Sequence, residues 1–380
     1  MRQHFIRDVA TLPFSMKGRD ALKLYQKMTP VHYKLGRLEE RVKQSLIHTN
    51  FINVLSLQES VQSTRIEESQ VTFTDMIEAS NSKHPKWEII EVRNYQRALN
   101  DGFQMIQDGI PISSKLVRRL HKILFLDEAR GTAGNVGEFR KIENFIGPTN
   151  KREDAVYIPI DAHRIDEYMS NWETFINGHP YAETIHPKVV EDDMFLIDDR
   201  SHDLLKVAVL HAQFESIHPF LDGNGRIGRI LIALYMVQSN LMSSPIFFIS
   251  EELERYRAKY YQLLNGVRGE QPKWYQWLDF FIEAADRMAT KLLHQLERAE
   301  QIAEHGLSLC KNETEKKVYR LSFSYPNLTT KRVVNELNVS SSTARRALNE
   351  LATYELLFKD ESKQRNVEYL NYDVLSIVGS

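Results

Sequence analysis

From the first residues to about residue 92, apolar positions recur on a helical period. Leu22, Tyr25 and Met28 fall every third residue, Leu24 stands four before Met28, and Leu35, Leu38 and Val42 repeat the pattern. Between Glu88 and Phe125 the period continues through Ile89, Val92 and Tyr95, then Leu116, Leu120, Ile123 and Leu124, with a new element starting at Pro111 behind Gly109. Residues 129–160 break it. They are rich in turn formers and hold two short extended runs, Glu138 to Ile146 and Ala155 to Ile160, around Gly147-Pro148-Thr149-Asn150. That layout predicts a β-hairpin in an otherwise helical protein. As the only strands nearby, its free edges could recruit an extended peptide. Residues 161–182 read as helix again. The acid-rich run Val190 to Asp203 lacks the spaced ligands and fixed glycine of a calcium loop and reads as a solvated loop. The stretch LLKVAVLHAQFESIHPF is apolar on a helical period, and Ile227, Ile230, Leu231 and Leu234 continue the stripe beyond a polar interruption. The pair predicts a helical hairpin through the core with a polar loop at its tip. Residues 245–300 hold more helix, and their aromatics, Tyr256, Tyr260, Tyr261, Trp274, Trp277, Phe280 and Phe281, read as packing residues.

From residue 311 the texture is that of a separate small module. Helices are expected over Glu315–Phe323, 329–337 and 341–354, followed by short strands over Phe358–Asp360 and Val367–Leu370 around a polar tip. The order resembles a winged helix-turn-helix, whose third helix enters the major groove of DNA. Thr343, Arg345 and Arg346 are suitable contact residues there. The segment carries 11 Lys+Arg against 9 Asp+Glu, so DNA contact and protein docking both stay open. Three regions result: a helical region 1–92, a core 93–300 and the module 311–380.

Composition narrows the class. A formal charge of −2 argues against a protein devoted wholly to nucleic acid or anionic membrane. Cys310 is the sole cysteine, so no intrachain disulfide and no multi-thiolate zinc site can form. The opening residues lack an uninterrupted apolar stretch, and the longest clean apolar run, Ile230 to Val237, is far too short for a membrane span. A cytoplasmic protein without membrane attachment is expected.

The polar interruption at the hairpin tip carries the chemistry: residues 218–229 read HPFLDGNGRIGR. His218 can accept a proton near neutral pH, Asp222 can hold a hard divalent cation, and Arg226 and Arg229 can bind phosphate. A glycine turn opening a helix is a ready anion site. Gly223, Gly225 and Gly228 also spell a dinucleotide-binding fingerprint, but that needs a preceding strand and an acid about twenty residues on. A helical segment precedes instead, and Phe247, Phe248 and Ile249 stand in the acid's place. No Gly-Lys-Ser/Thr follows, which excludes a P-loop, and metal binding by His211 and His218 is weak at seven residues' separation.

The stretch resembles the motif of Fic-domain proteins, HxFx(D/E)GNGRxxR, at every defined position. HAQFESIHPF, GEFRKIENFIG in the expected hairpin and NYQRALNDG upstream are also similar to the family, and the likeness spans roughly residues 20–290. The resemblance implies a mainly α fold: a Fic-type helical core with a β-hairpin flap, an N-terminal helical region and the C-terminal winged helix-turn-helix. It implies a nucleotidyltransferase moving AMP from ATP onto a Ser, Thr or Tyr hydroxyl of a target protein. His218 would be the general base. Asp222 would hold Mg²⁺ between the α- and β-phosphates, Gly223, Asn224 and Gly225 would cradle phosphate, and Arg226 and Arg229 would face the β- and γ-phosphates. The hairpin resembles the family's flap, which pairs with the target segment through Glu138, Phe139, Arg140, Ile146 and Gly147. Ser63 to Glu67 fits the inhibitory pattern (S/T)xxxE(G/N) and its N-terminal placement resembles class II members, so Glu67 would pair with Arg229 and misplace the γ-phosphate. Glu68 departs from the Gly or Asn of that pattern. Tyr256 stands near where many members have an Asn thought to touch adenine. Removal of AMP by the same site, with Glu67 orienting water, and a DNA-binding regulator with a nucleotide-sensing core are the alternatives. Dimers are common among the proteins it resembles, so a homodimer stays open.

Overall fold

The computed structural model describes residues 6–7, 9–79, 85–126, 136–147, 151–178, 193–362 and 366–379; the expected turn at 148–150, helix residues 179–182 and the start of the acidic run lie outside them. Two short strands, β1 (Ile6–Arg7) and β2 (Phe14–Lys17), precede α1 (Gly18–Gln44) and α2 (His48–Ile66). There follow α3 (Phe73–Glu78), α4 (Trp87–Gln107), α5 (Ser114–Leu124), β3 (Tyr157–Ile158), α6 (Ile165–Asn177), β4 (Met194–Ile197), α7 (Asp203–Ile217), α8 (Asn224–Gln238), α9 (Ser250–Arg255), α10 (Arg257–Gly266) and α11 (Trp274–Leu309). The C-terminal segment holds α12 (Glu313–Leu321), β5 (Asn327–Thr329), α13 (Thr330–Leu337), α14 (Ser341–Thr353), β6 (Phe358–Lys359), β7 (Glu368–Leu370) and α15 (Tyr372–Val378). The fold is mainly α.

At its centre stands the α7–α8 hairpin. From Leu204 to Ile217 every residue of α7 is buried, and in α8 so are Ile227 to Val237. A helix without a polar face can only be stable inside the protein. Trp172 on α6 and Trp277 on α11 each bury an indole against α7 and donate their N–H to its carbonyls, Leu210 (3.0 Å) and Ala208 (2.9 Å). Around this centre lies α1, whose buried residues are Ala21, Leu24, Met28, Val31, Leu35, Leu38 and Val42. They alternate steps of three and four, the seam of a coiled-coil-like pair, and the partner is α11. The two run parallel: Lys27 pairs with Asp279 and Glu283, Lys34 with Asp286, and Arg41 with Glu297 and Glu300. The expected stripe is thereby corrected by one position, since Leu22 is exposed and Ala21 takes its place.

Three other expectations change. The acidic run contains β4, which pairs antiparallel with β2, so Met194 to Ile197 are strand and not loop. Among the described residues of the expected hairpin only an Ile146–Tyr157 bridge and β3 are strand-like, and β1 covers β3 by parallel pairing. The run from Glu138 cannot extend because Phe139 and Arg140 both turn inward and are buried. At the C-terminus, β5 and α15 join the expected elements, and the strands order β5-β7-β6. This segment is not loosely tethered: Tyr319 of α12 fills the notch beside Gly306 of α11, and α15 packs on α11 and α2.

The register of α1 is testable. Leu38 is fully buried, so Leu38→Ala should cost roughly 2–5 kcal/mol in chemical denaturation. Leu22→Ala, at an exposed site, should stay within about 0.5 kcal/mol of the parent.

Candidate active site

The tip of the α7–α8 hairpin is closed by Asn224. Its Oδ1 accepts the Phe220 N–H and its Nδ2 donates to the Phe220 carbonyl, both at 2.9 Å. The buried amide side chain thus clips the loop shut and does not itself face a ligand, which corrects the expectation for that side chain. Gly223, at φ 77°, supplies the left-handed turn into α8. The first intrahelical donor is Ile227, to the Gly223 carbonyl, so the amides of Asn224, Gly225 and Arg226 point out of the helix end. Together with the helix dipole they form an anion site. At its rim Asp222 holds its Oδ1 on the Gly223 N–H (2.6 Å), with roughly half of its side chain exposed. Among the described residues no cluster of three or more His, Cys, Asp or Glu comes together, so any cation there would rely on Asp222 and on ligand oxygens.

His218 ends α7 in the left-handed region, φ 51° and ψ 61°, a conformation that costs a non-glycine residue about 1 kcal/mol or more. Two arginines hold it there. Arg140 donates from Nε to the His218 carbonyl (2.9 Å) and from Nη2 to Ile217 (3.4 Å) and Ile160 (2.5 Å), and Arg268 donates from Nη2 to Glu215 (3.0 Å). Cations on the last carbonyls of a helix complement its dipole. Burial pushes the His218 imidazole down to about 3, with Arg268 and Arg140 adding to the shift, so the ring is neutral. Its Nδ1 faces the Glu215 carbonyl at 3.4 Å. A carbonyl can only accept, so the contact selects the Nδ1–H tautomer and leaves the Nε2 lone pair for a proton.

Arg229 lies wholly buried one turn into α8, and α2 supplies its partners. Its Nε donates to Ser63 Oγ (2.7 Å), and its Nη2 donates to the Ser63 carbonyl (3.0 Å) and to Glu67 Oε1 (2.7 Å). The Glu67 carboxylate lies so close over the first turn of α8 that a Cβ on Gly225 would stand 2.2 Å from its Oε1. Glu67 thereby sits against Arg229 beside the first turn of α8, next to the anion site. Arg226 pairs with the buried Glu91 of α4 (3.2 Å) and, more loosely, with the rim carboxylate of Asp222 (3.7 Å), and covers the Phe125 ring. Glu68 has φ 72°, which gives the family preference for Gly or Asn there its physical cause; its exposed side chain pairs with Arg257 (3.1 Å). Tyr256 lies under Arg287, 4.7 Å from guanidinium to ring centre, at the joint of α9 and α10.

Beneath the site sits a layer of buried titratable groups. Burial raises Glu59 to about 7, where Ser250 and Tyr95 bond it, and raises Glu215 to about 7; burial lowers His211 to about 3. Gly228 makes room for this layer, since a Cβ there would meet Glu215 Oε1 at 2.6 Å and His211 Nδ1 at 3.1 Å.

Of the expected flap residues, Phe139 packs edge-on to Phe220 and Arg140 is committed to the backbone, so neither is presented to a target. Glu138 and Gly147 are exposed, and Ile146 forms the bridge to Tyr157. Thr343, Arg345 and Arg346 lie on α14 and have no part in this site.

Sequence reading missed Arg268 and His121. His121 is buried, accepts the Gly137 N–H at Nδ1 (2.9 Å), sets Nε2 against the Asp222 carbonyl (3.2 Å) and stacks on Phe220 with centroids 3.9 Å apart. Its spacing after Leu116 and Leu120 marked it only as one more position near a core stripe.

A neutral base beside an anion-binding helix end, with a partly exposed carboxylate at the rim, is the arrangement of a phosphoryl-handling site on a helical hairpin. Residues 111–236 match the model of the Fic/DOC family and residues 25–104 match the Fic/DOC family N-terminal model, together more than half of the chain. The chain belongs to the Fic/DOC family. It is 24% identical over 195 residues to the probable protein adenylyltransferase aq_aa38 of Aquifex aeolicus, covering 51% of each, and 25% identical over 158 residues to protein adenylyltransferase Fic of Drosophila melanogaster, covering 41% of this chain and 25% of that one. The chain thus spans about half the length of the first of these relatives and about a quarter of the second. A crystal structure of a Fic family protein from Desulfovibrio desulfuricans superimposes with TM-score 0.54 at 18% identity over 91% of this chain and 95% of that one. A Fic domain containing signaling protein from Bacteroides thetaiotaomicron gives 0.55 at 16%, over 71% and 97%. These likenesses establish the fold. Among the described residues no helix is long and apolar enough to cross a membrane.

A depressed imidazole takes its proton only as pH falls through its folded-state value, so His218 should remain neutral at pH 5, where a free histidine is mostly charged. Nitrogen-15 NMR of the ring in the nucleotide-free protein reads this directly, and a midpoint near 6.5 would show the assigned environment to be wrong.

Proposed function

We propose that the chain is a protein adenylyltransferase restrained by its own α2. The observation that carries this is the Glu67 carboxylate on Arg229, lying against Gly225 in the first turn of α8. The Nε2 of His218 takes the proton of a Ser, Thr or Tyr hydroxyl. The hydroxyl oxygen attacks the α-phosphorus of ATP, the bond from that phosphorus to the bridging oxygen breaks, and pyrophosphate leaves. Positioned general bases supply about 10²–10⁴-fold. The amides of Asn224, Gly225 and Arg226 stabilise the charge that develops on phosphate oxygens.

Arg229 is the natural partner of the terminal phosphates, because its guanidinium is already desolvated and needs an anion. Arg226 reaches phosphate only if its pair with Glu91 opens. Asp222 fits Mg²⁺: one hard carboxylate at an accessible rim, with phosphates and water completing the shell, is how that ion is usually held. When bound, Mg²⁺ would neutralise phosphate charge. The target segment lies along the exposed stretch at residues 141–143, where Ile142 offers an apolar contact, rather than along Phe139 and Arg140.

With labelled ATP and Mg²⁺, Glu67→Gly should transfer label to protein at least about tenfold faster than the parent, a barrier change of about 1.4 kcal/mol. Adding His218→Ala to that variant should lower the rate by about 10²-fold or more. Equal labelling by parent and Glu67→Gly would remove the restraint from the proposal. Release of AMP from a labelled target by the parent, lost in Glu67→Gly, would assign the site to removal of AMP instead.

His121 extends the same reading to the loop's support. Its two ring nitrogens join the Asp222 carbonyl to the start of the flap, so His121→Ala should raise the Mg²⁺ concentration needed for half-maximal transfer several-fold, and His121→Gln, which keeps one of the two contacts, should raise it less. A uniform fall in rate with unchanged Mg²⁺ demand would make His121 a packing residue only.

A further inference from the structure

We infer that the outer face of α14 is a docking surface for duplex DNA. The helix divides cleanly. Ala344, Ala347, Leu348 and Leu351 are buried, whereas Ser341, Ser342, Arg345, Arg346 and Asn349 are exposed. Its main packed neighbours are α12, α13 and β6, and α15 rests on α2 and α11, so among the described residues the exposed face of α14 is left uncovered. Among the described residues neither Arg345 nor Arg346 has an ion-pair partner, and the neighbouring Lys331 of α13 has none either.

The chemistry of this face chooses between the two partners that a winged helix-turn-helix can serve. A protein-docking face is built around buried apolar or aromatic anchors, and the exposed side of α14 has none. The exposed aromatics of this segment, Phe358 and Tyr372, sit together with ring centres 5.4 Å apart, in a cavity that Asn349 borders but Ser341, Ser342, Arg345 and Arg346 do not. What α14 offers is guanidinium, hydroxyl and amide. Arginine pairs bidentately with phosphate and with guanine edges, serine serves phosphate oxygens, and asparagine reads adenine. The N-terminal end of α14, capped by Ser340, brings a positive dipole end to the same face. With β5, β6 and β7 beside it, the 13-residue helix has the shape that enters a major groove. Two unpaired arginines and one lysine give weak, salt-sensitive binding rather than a tight complex.

This surface does not depend on the chain's transferring AMP, and the test keeps the two apart. Fluorescence anisotropy of the full chain with a labelled duplex of about two helical turns should show binding at low salt that weakens as salt rises. Arg345→Gln with Arg346→Gln, in protein that melts at the parent's temperature, should weaken binding at least about tenfold and reduce the slope of log K on log salt by about 2, since each phosphate contact contributes about 0.9. His218→Ala and Glu67→Gly should bind as the parent does. No binding at low salt with protein at about 10⁻⁴ M, the weak end of non-specific affinity, would overturn the inference. So would equal binding by the double variant, or displacement of the duplex by polyglutamate at equal charge, which would make the face a site for acidic polypeptide.

Discussion

A guanidinium buried in the core must find an anion or a set of carbonyls, because its desolvation costs several kcal/mol unless hydrogen bonds replace water. Arg229 imposes that constraint here. It lies one turn inside an all-buried helix, and α2 answers with one hydroxyl, one carbonyl and one carboxylate. Of these three, only the Glu67 carboxylate carries charge, and its side chain is also the one that reaches solvent. The arrangement is stable as it stands and yet exchangeable at one point. Another anion arriving at the end of α8 can take the place of Glu67 without exposing Arg229.

The second constraint is geometric. An imidazole serves as a base only if one nitrogen is free and aimed, and a residue that merely ends a helix would be free to swing. His218 is pinned by its backbone instead of its ring. Arg140 and Arg268 hold the carbonyls of Glu215, Ile217 and His218, and the strained left-handed turn leaves the ring a single weak contact through Nδ1. Burial keeps the ring neutral, and the same two cations add to that effect. The residues that fix the position, far away in the chain, thus also reinforce the protonation state that burial sets.

This distance explains what could be read from the sequence and what could not. The motif at residues 218–229 was legible because its parts are contiguous and a helix repeats their directions. Ser63 and Glu67 were legible because a four-residue spacing places both on one face of α2, which is where Arg229 meets them. Arg268 was invisible, since nothing in its own neighbourhood distinguishes a surface arginine from one that caps a helix. Arg140 was seen and given the wrong task for the same reason: an extended pattern shows alternation but not which side faces in. The β2–β4 pair was missed because its two halves lie on opposite sides of the long helices that separate them in sequence. In α1 the helix was plain, but choosing Leu22 over Ala21 required knowing that α11 lies alongside, and a small residue suits a close seam between helices.

The helix that pairs with Arg229 does not belong to the α7–α8 hairpin alone. Along α2, Asn50 donates to Ser324 Oγ, Gln58 donates to the Val378 carbonyl, Glu59 bonds Ser250 and Tyr95, and Ser63 meets Arg229. Glu67 follows as the C-cap residue. One rigid rod thus touches the C-terminal segment at its beginning and the anion site at its end. A helix transmits displacement along its axis better than a loop does, because its backbone bonds resist stretching. The same helix thus fixes the 2.7 Å contact of Glu67 with Arg229 and holds the C-terminal segment against the core.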